Sequence, residues 1–264
     1  MKLIILGTGT GNPSIDRASP SLLLYARSEI TVLDMGPGTM RQLSRVGINH
    51  ERIAQVFITH FHPDHTADLI HFLFATKDPS TLENRRPFTI TGPQGLGTFI
   101  EALQRAYGKW IDVPSSIMLI EEMSIDTPEE RHYKNFRVYA RHTRHTPHSL
   151  AYRIEGPRGQ TFVYSGDTEF CDELVSLAQD CDLLILECSF PDDQPVEGHM
   201  TPSEAGRVAT LAGARKLLLV HFYPEALATD IANSCRKTYT GELILGRDLM
   251  HIVMAPDDGN DGHS

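Results

Sequence analysis

The segment Thr59-His60-Phe61-His62-Pro63-Asp64-His65 constrains this chain more than any other. It places four imidazole or carboxylate side chains within six residues, directly after an apolar run, Ile53–Thr59, that reads as a strand. Imidazole nitrogen and carboxylate oxygen are natural donors to zinc and similar divalent cations. A lone histidine in such a place is more often a solvated side chain. Three histidines and an aspartate at this spacing point instead to a metal-binding turn at a strand end, and Pro63 would stiffen it and lower the entropy lost in fixing the ligands.

Two further candidates also stand at strand ends. Asp167, in Ser165-Gly166-Asp167-Thr168, follows the apolar Phe162-Val163-Tyr164, and His221 follows Leu217-Leu218-Leu219-Val220. Alone, Asp167 reads equally well as a helix-capping aspartate, and His221 as a cap on a buried strand. With His60 they make three strands that each end in a potential ligand, which suggests one shared edge of the core. A carboxylate can bridge two cations, so Asp167 is the best bridging candidate. The run Arg141-His142-Thr143-Arg144-His145-Thr146-Pro147-His148-Ser149 offers three more histidines, among which spacing does not choose. In His199-Met200-Thr201-Pro202-Ser203-Glu204 the Thr201–Glu204 pair reads as a capping box at a helix start; His199, just before it, is free for chemistry or merely on the surface.

These motifs run from Gly7 to His221 in a chain of 264 residues, so one site draws on nearly all of it, and a single domain over 1–255 is expected. The acidic, glycine-bearing tail 256–264 is expected to be disordered. Strands are predicted at Leu3–Leu6, Ser21–Tyr25, Ile30–Leu33, Ile53–Thr59, Phe88–Thr91, Ile117–Ile120, Phe136–Ala140, Ala151–Ile154, Thr161–Tyr164, Leu183–Leu186 and Lys216–Val220. Helices are predicted at Thr39–Val46, Ala67–Ala75, Gly95–Tyr107, Glu173–Gln179 and Pro202–Leu211, and Lys77–Pro87 reads as a loop bordering the site. There is no regular βαβ period; two packed sheets with helices outside, an α/β architecture, accommodate the pattern.

Several classes are set aside. No apolar stretch approaches the roughly 20 residues of a membrane span. Met1–Leu6 runs straight into a glycine turn without a cleavage site, so a signal peptide is not expected, and the cytoplasm is the expected compartment. Cys171, Cys181, Cys188 and Cys235 show no CxxC pairing and read as buried, reduced thiols. The net charge of −10 argues against a broad basic footprint for nucleic acid, although two bound divalent cations would add positive charge where a phosphate sits. Gly7-Thr8-Gly9-Thr10-Gly11 matches neither a dinucleotide fingerprint nor a P-loop, and no GxSxG elbow is present.

The run His60–His65, the Ser165–Thr168 motif and the late His221 together resemble the metallo-β-lactamase superfamily. The stretches Leu6–Ser14, Asp34-Met35-Gly36-Pro37-Gly38-Thr39, His145–Arg153 and His199-Met200-Thr201 are most similar to its ribonuclease Z and phosphodiesterase branch. The likeness covers roughly residues 3–250. It implies a four-layer αβ/βα sandwich, two mixed sheets with helices outside, and two divalent ions per chain. Zinc is the expected ion, with manganese, iron or nickel also accepted by such ligands. It further implies that His60, His62 and His145 hold one ion, that Asp64, His65 and His221 hold the other, and that Asp167 bridges them. Asp34 would orient a ligand imidazole from behind and fix its tautomer. Asp64 and His199 would be the catalytic pair, with His148 and Ser149 as substrate contacts, and a homodimer is implied.

The sequence also departs from that branch. Asp167 follows His145 by only 22 positions, where the branch inserts a long glycine- and proline-containing arm that grips tRNA. Pro37 stands where it has glutamate, and Asp68 where it has glycine. The resemblance thus implies a phosphodiesterase acting through a metal-bridging hydroxide on a small diester or an RNA end. Processing of tRNA 3′ ends comes second, and hydrolysis of an ester, lactone or β-lactam third. Flavin-bearing di-iron relatives usually have glutamate at the position of His62 and an added flavin domain, both missing here.

Overall fold

The structure is a computed structural model describing residues 1–27 and 29–254; the tail 256–264 lies outside the described residues. Its strands are β1 Lys2–Gly7, β2 Ser21–Ala26, β3 Glu29–Leu33, β4 Ile53–Phe57, β5 Phe88–Pro93, β6 Met118–Met123, β7 Glu129–His132, β8 Arg137–His142, β9 Leu150–Glu155, β10 Thr161–Tyr164, β11 Leu183–Glu187, β12 Lys216–Val220, β13 Glu242–Leu245 and β14 Met250–Val253. They form two seven-stranded sheets, ordered β14-β1-β2-β3-β4-β5-β6 and β13-β12-β11-β10-β9-β8-β7. Both are mixed: β3 through β6 run parallel to one another, as do β10 through β13.

Unbroken apolar strands such as Leu3-Ile4-Ile5-Leu6 arise because both faces of each sheet are covered. Successive side chains alternate between faces. Leu3 and Ile5 enter the layer between the sheets, together with Phe57, Tyr152, Phe162, Ile185 and Leu218. Ile4 and Leu6 face the opposite way, onto Leu69, Phe72 and Leu73 of helix Pro63–Thr76 and Ile100 of helix Leu96–Tyr107. In the second sheet Leu184, Leu186, Leu217 and Leu219 turn outward onto helices Asp172–Leu177 and Pro202–Leu211. The result is helix, sheet, sheet, helix, the expected four layers.

Two sequence expectations are corrected. The helix expected from Ala67 starts at Pro63, so His60 and His62 stand in the short connection 58–62 after β4, while Asp64 and His65 lie in the first turn of the helix. Proline is favoured at the first helical position, where its missing N–H costs nothing, and Asp64 complements the helix dipole there. The Lys77–Pro87 segment contains a helix, Pro79–Asn84, capped by Asp78. It begins at the far end of helix Pro63–Thr76, about 20 Å along the axis from Asp64 at 1.5 Å per residue, and so does not border the site. Thr201 and Glu204 form the expected capping box, and all four cysteines are buried and free. Among the described residues no helix is long and apolar enough to cross a membrane.

Candidate metal centre

In both sheets the parallel strands end at a common edge, where open α/β sheets place their ligands. Asp34 follows β3, His60 follows β4, Asp167 follows β10 and His221 follows β12. Asp34 and His221 adopt left-handed backbone, with φ of 59° and 58°. Few non-glycine residues do so, and such conformations concentrate at functional sites. Gly166 is also left-handed, and a Cβ there would come within 2.7 Å of Thr59 Cβ, so glycine is what lets the ends of β4 and β10 approach.

The edge gathers two ligand sets that share Asp167. His60, His62, His145 and Asp167 bring donor atoms within 4.8 Å of one another, and so do Asp64, His65, Asp167 and His221. Between the sets, Asp167 Oδ2 lies 3.8 Å from His60 Nε2 and 3.7 Å from His145 Nε2. Its Oδ1 lies 3.2 Å from His65 Nε2 and 3.4 Å from His221 Nε2. His142 stands in β8 and belongs to neither set.

The far nitrogens of these rings are already committed. His65 Nδ1 lies 2.7 Å from Asp34 Oδ2, and Asp34 also accepts from Thr59 N, Thr59 Oγ1 and Tyr164 OH. His145 Nδ1 lies 2.8 Å from the carbonyl of Gly198, and His221 Nδ1 lies 2.9 Å from Ser189 Oγ. A carboxylate or carbonyl can only accept, so His65 and His145 carry their proton on Nδ1; the Nε2 lone pair of His65 then faces Asp167 Oδ1, and that of His145 lies 3.1 Å from His62 Nδ1 and 3.7 Å from Asp167 Oδ2.

Lone pairs facing a carboxylate oxygen at these distances repel unless a proton or a cation stands between them. Nε2 of His60, His65 and His221 and Oδ1 of Asp167 are buried without a hydrogen-bond partner. Orphaned buried polar atoms are rare in native folds, and these four flank the two oxygens of Asp167, His60 in one ligand set and His65 and His221 in the other, as a pair of cation sites requires. The protein groups alone answer the conflict by protonation. Burial opposes charge on His65, yet the carboxylates of Asp167 and Asp34 outweigh it and hold its pKa well above the ordinary imidazole value. Burial and the neighbouring His65 push His60 well below it. Burial would raise Asp167, but His221 and His65 hold it well below the usual carboxylate range.

His199 stands beside the two sets, its ring centroid 4.9 Å from that of His145. Its Nδ1 is 3.1 Å from Glu187 Oε1. Burial would lower its pKa, but the bond to Glu187 and that group's charge raise it. His148 is exposed at the rim against Phe61. Ser149 is buried, and its hydroxyl is taken up by Thr146 N and Oγ1 at 3.0 and 2.7 Å, so it braces the turn that carries His145 and does not face outward. Sequence reasoning passed over Glu187 and Ser189. The signal was available, since Glu187 ends the apolar strand Leu183–Glu187 just as Asp167 and His221 follow theirs.

Comparison with known proteins agrees with this geometry. The model of the beta-lactamase superfamily domain matches residues 31–222. Ribonuclease Z of Pyrococcus horikoshii is 29% identical, covering 85% of this chain and 87% of that protein. Ribonuclease Z of Mycobacterium bovis is 27% identical, covering 97% and 99%. Among solved structures, the metallo-beta-lactamase fold protein YhfI from Bacillus subtilis superposes with a TM-score of 0.81 at 25% identity, over 96% of this chain and 99% of that one. The short form of human tRNase Z gives 0.79 at 25% identity, over 97% and 100%. The chain therefore belongs to the metallo-β-lactamase superfamily, in the branch of ribonuclease Z and its phosphodiesterase relatives, and is a metal-dependent hydrolase.

Proposed function

We propose that this chain hydrolyses a phosphodiester bond in RNA at a centre of two divalent cations, as an endoribonuclease of the ribonuclease Z type. This reverses the order expected from sequence, where a small diester came first, because ribonuclease Z is the relative that recurs along nearly the whole chain. The observation that carries the hydrolytic reading is the convergence of orphaned lone pairs on Asp167.

In this reading His60, His62 and His145 would hold one cation and Asp64, His65 and His221 the other, with Asp167 available to both sets. The preponderance of imidazole suits zinc. Bound cations of this kind lower the pKa of water and offset charge developing on phosphate oxygens. Asp64, the partly exposed carboxylate of the pair, orients the attacking water and takes its proton. Water oxygen joins phosphorus, the bond from phosphorus to the leaving oxygen breaks, and that oxygen takes a proton from His199 Nε2. Glu187, bonded to His199 Nδ1, keeps the imidazole charged and oriented until then.

One observation favours a second reading. β9 and β10 are joined by the short turn Gly156–Gln160, with no arm to grip a tRNA, which suits a small or cyclic diester. Metal-analysed protein assayed on a precursor tRNA and on bis-p-nitrophenyl phosphate separates the two. Preference for the RNA is expected. Equal or better turnover of the small diester would support the second reading, and activity on lactones with none on either diester would end both. A homodimer, which the family likeness implies, is read by light scattering on the same sample.

A further inference from the structure

Ser189, fully buried, stands just beyond the end of β11, between His199 and His221. Its hydroxyl makes a very short contact with Glu187 Oε2. It also lies 2.9 Å from His221 Nδ1, 3.2 Å from the carbonyl of His221 and 3.4 Å from His199 Nδ1. A serine hydroxyl has one proton to give and two lone pairs to receive with. Glu187 is acceptor-only while ionised, and it already receives Thr168 N at 2.7 Å and Met200 N at 3.2 Å. The serine proton therefore goes to Glu187, its closest neighbour, and the serine oxygen can only accept from His221. That places the His221 proton on Nδ1 and leaves Nε2 as a bare lone pair, 3.5 Å from Asp64 Oδ2 and 3.4 Å from Asp167 Oδ1.

We propose that Ser189 is a positioning residue that relays the charge of Glu187 to His221. One buried carboxylate then orients two groups: the proton donor His199 directly, and the ligand His221 through the serine. The inference rests on the metal-centre reading above. Its physical content lies in the alternative. Without the hydroxyl, His221 Nδ1 loses its side-chain acceptor while two carboxylate oxygens still flank Nε2. The proton is then better placed on Nε2, donating to Asp64 or Asp167, and an incoming cation has to displace it. The ligand side chain would be intact and yet aim the wrong tautomer at the metal.

The test uses zinc-loaded wild type, Ser189→Ala and Ser189→Thr, with zinc per chain followed by atomic emission during titration with a chelator. Wild type should release two ions. Ser189→Ala should release one of them at about 10- to 100-fold lower chelator, the usual effect of removing a group that orients a ligand, and the hydroxyl of Ser189→Thr should restore the wild-type curve. Glu187→Gln, which touches no proposed ligand of either ion directly, should weaken the same ion, because its amide can donate back to the serine and reverse the relay. If wild type holds no zinc, the metal-centre reading itself falls. If wild type holds two ions and Ser189→Ala releases them identically, or Ser189→Thr is as weak as Ser189→Ala, the relay is overturned and the metal reading stands. Circular dichroism checks folding. Should Ser189→Ala not fold, Glu187→Gln decides, and an unchanged release curve there refutes the relay.

Discussion

Asp34→Asn is the most informative change outside the ligands, because the amide keeps the shape of the carboxylate but replaces one of its two acceptor oxygens with a donor. Asp34 is fully buried and accepts four bonds: Thr59 N on Oδ1 at 2.8 Å, and Thr59 Oγ1, His65 Nδ1 and Tyr164 OH on Oδ2 at 2.8, 2.7 and 3.0 Å. The asparagine oxygen will occupy the Oδ2 position, where three donors converge, so its NH2 faces the N–H of Thr59. One buried backbone donor is left unmade, at about 1–3 kcal/mol, and the remaining bonds lose the assistance of charge, roughly another 1–2 kcal/mol together. The expected loss of stability is thus about 2–5 kcal/mol, a large part of what a domain has in reserve. With a urea slope near 3 kcal/mol/M for a chain of this size, the midpoint should fall by about 0.7–1.7 M at unchanged slope. The measurement is urea unfolding followed by circular dichroism in excess chelator, which removes the contribution of metal. Zinc affinity, measured separately, should fall about 10- to 100-fold at the ion held by His65. A midpoint within about 0.2 M of wild type would refute the four-acceptor account. Intact stability with unaltered zinc binding would mean that Asp34 does not set the His65 tautomer.

Chelation of the wild type should lower its stability by about 4 kcal/mol for each cation previously present at a thousandfold over its Kd. That corresponds to a melting temperature about 8–16 °C lower in calorimetry, and an unchanged melting temperature would deny that the folded chain binds metal. Glu187→Gln, assayed at saturating metal, should move the alkaline limb of the rate to lower pH. A general acid must be protonated to act, so rate is lost as pH rises through its pKa, and Glu187 is what holds the His199 pKa up against burial; a limb that stays in place would remove His199 from that role. Gly36→Ala should cost about 1–3 kcal/mol by overpacking, since its Cβ would lie 1.9 Å from the Asp64 carbonyl oxygen. The shift of the helix start that carries Asp64 and His65 should reduce zinc from two ions to one per chain, and retention of both would show that the edge can yield without disturbing the ligands.

How far the sequence foretold this arrangement depended on burial. His60, Asp167 and His221 were legible because each follows an apolar strand covered on both sides, and a polar side chain at such a point has few other reasons to be there. His145 was not separable by spacing from His142 and His148, since its selection depends on a turn closed by Thr146 and Ser149 and on the Gly198 carbonyl 53 residues away. β7, β13 and β14 are edge strands that went unrecognised: Glu129-Glu130-Arg131-His132 carries no apolar run, and the runs Leu243-Ile244-Leu245 and Ile252-Val253 are short and partly exposed. Helix Pro63–Thr76 was started four residues late because the ligand cluster masked an ordinary N-terminus, with proline first and an acid next. Glu187 carries the same strand-end signal, but its partners come from the end of β10, from its own strand end and from the loop at His199, so the role they give it follows only from tertiary structure.

The two ligand sets are not carried by one rigid element. Asp34 and the His60–His65 segment belong to the first sheet and its helix, whereas His145, Asp167 and His221 extend from the second. What fixes their separation is the joint between the sheets at this edge. Tyr164 of the second sheet donates to Asp34 of the first at 3.0 Å, Tyr152 OH donates to the carbonyl of Ile58 at 2.7 Å, Leu150 N to that of Thr59 at 2.9 Å, and Phe222 N to that of Thr8 at 3.0 Å. Each bond spans the two sheets within a few residues of a ligand, and beneath them Phe57, Tyr152 and Phe162 fill the shared core. Buried hydrogen bonds of this kind are directional, and core packing resists compression and shear. The distance between the donor sets is therefore set by the same contacts that hold the sheets together. A pair of cations placed between them would reinforce the joint, and a fold that loosened the joint would lose the cations, so metal binding and sheet packing are two readings of one equilibrium.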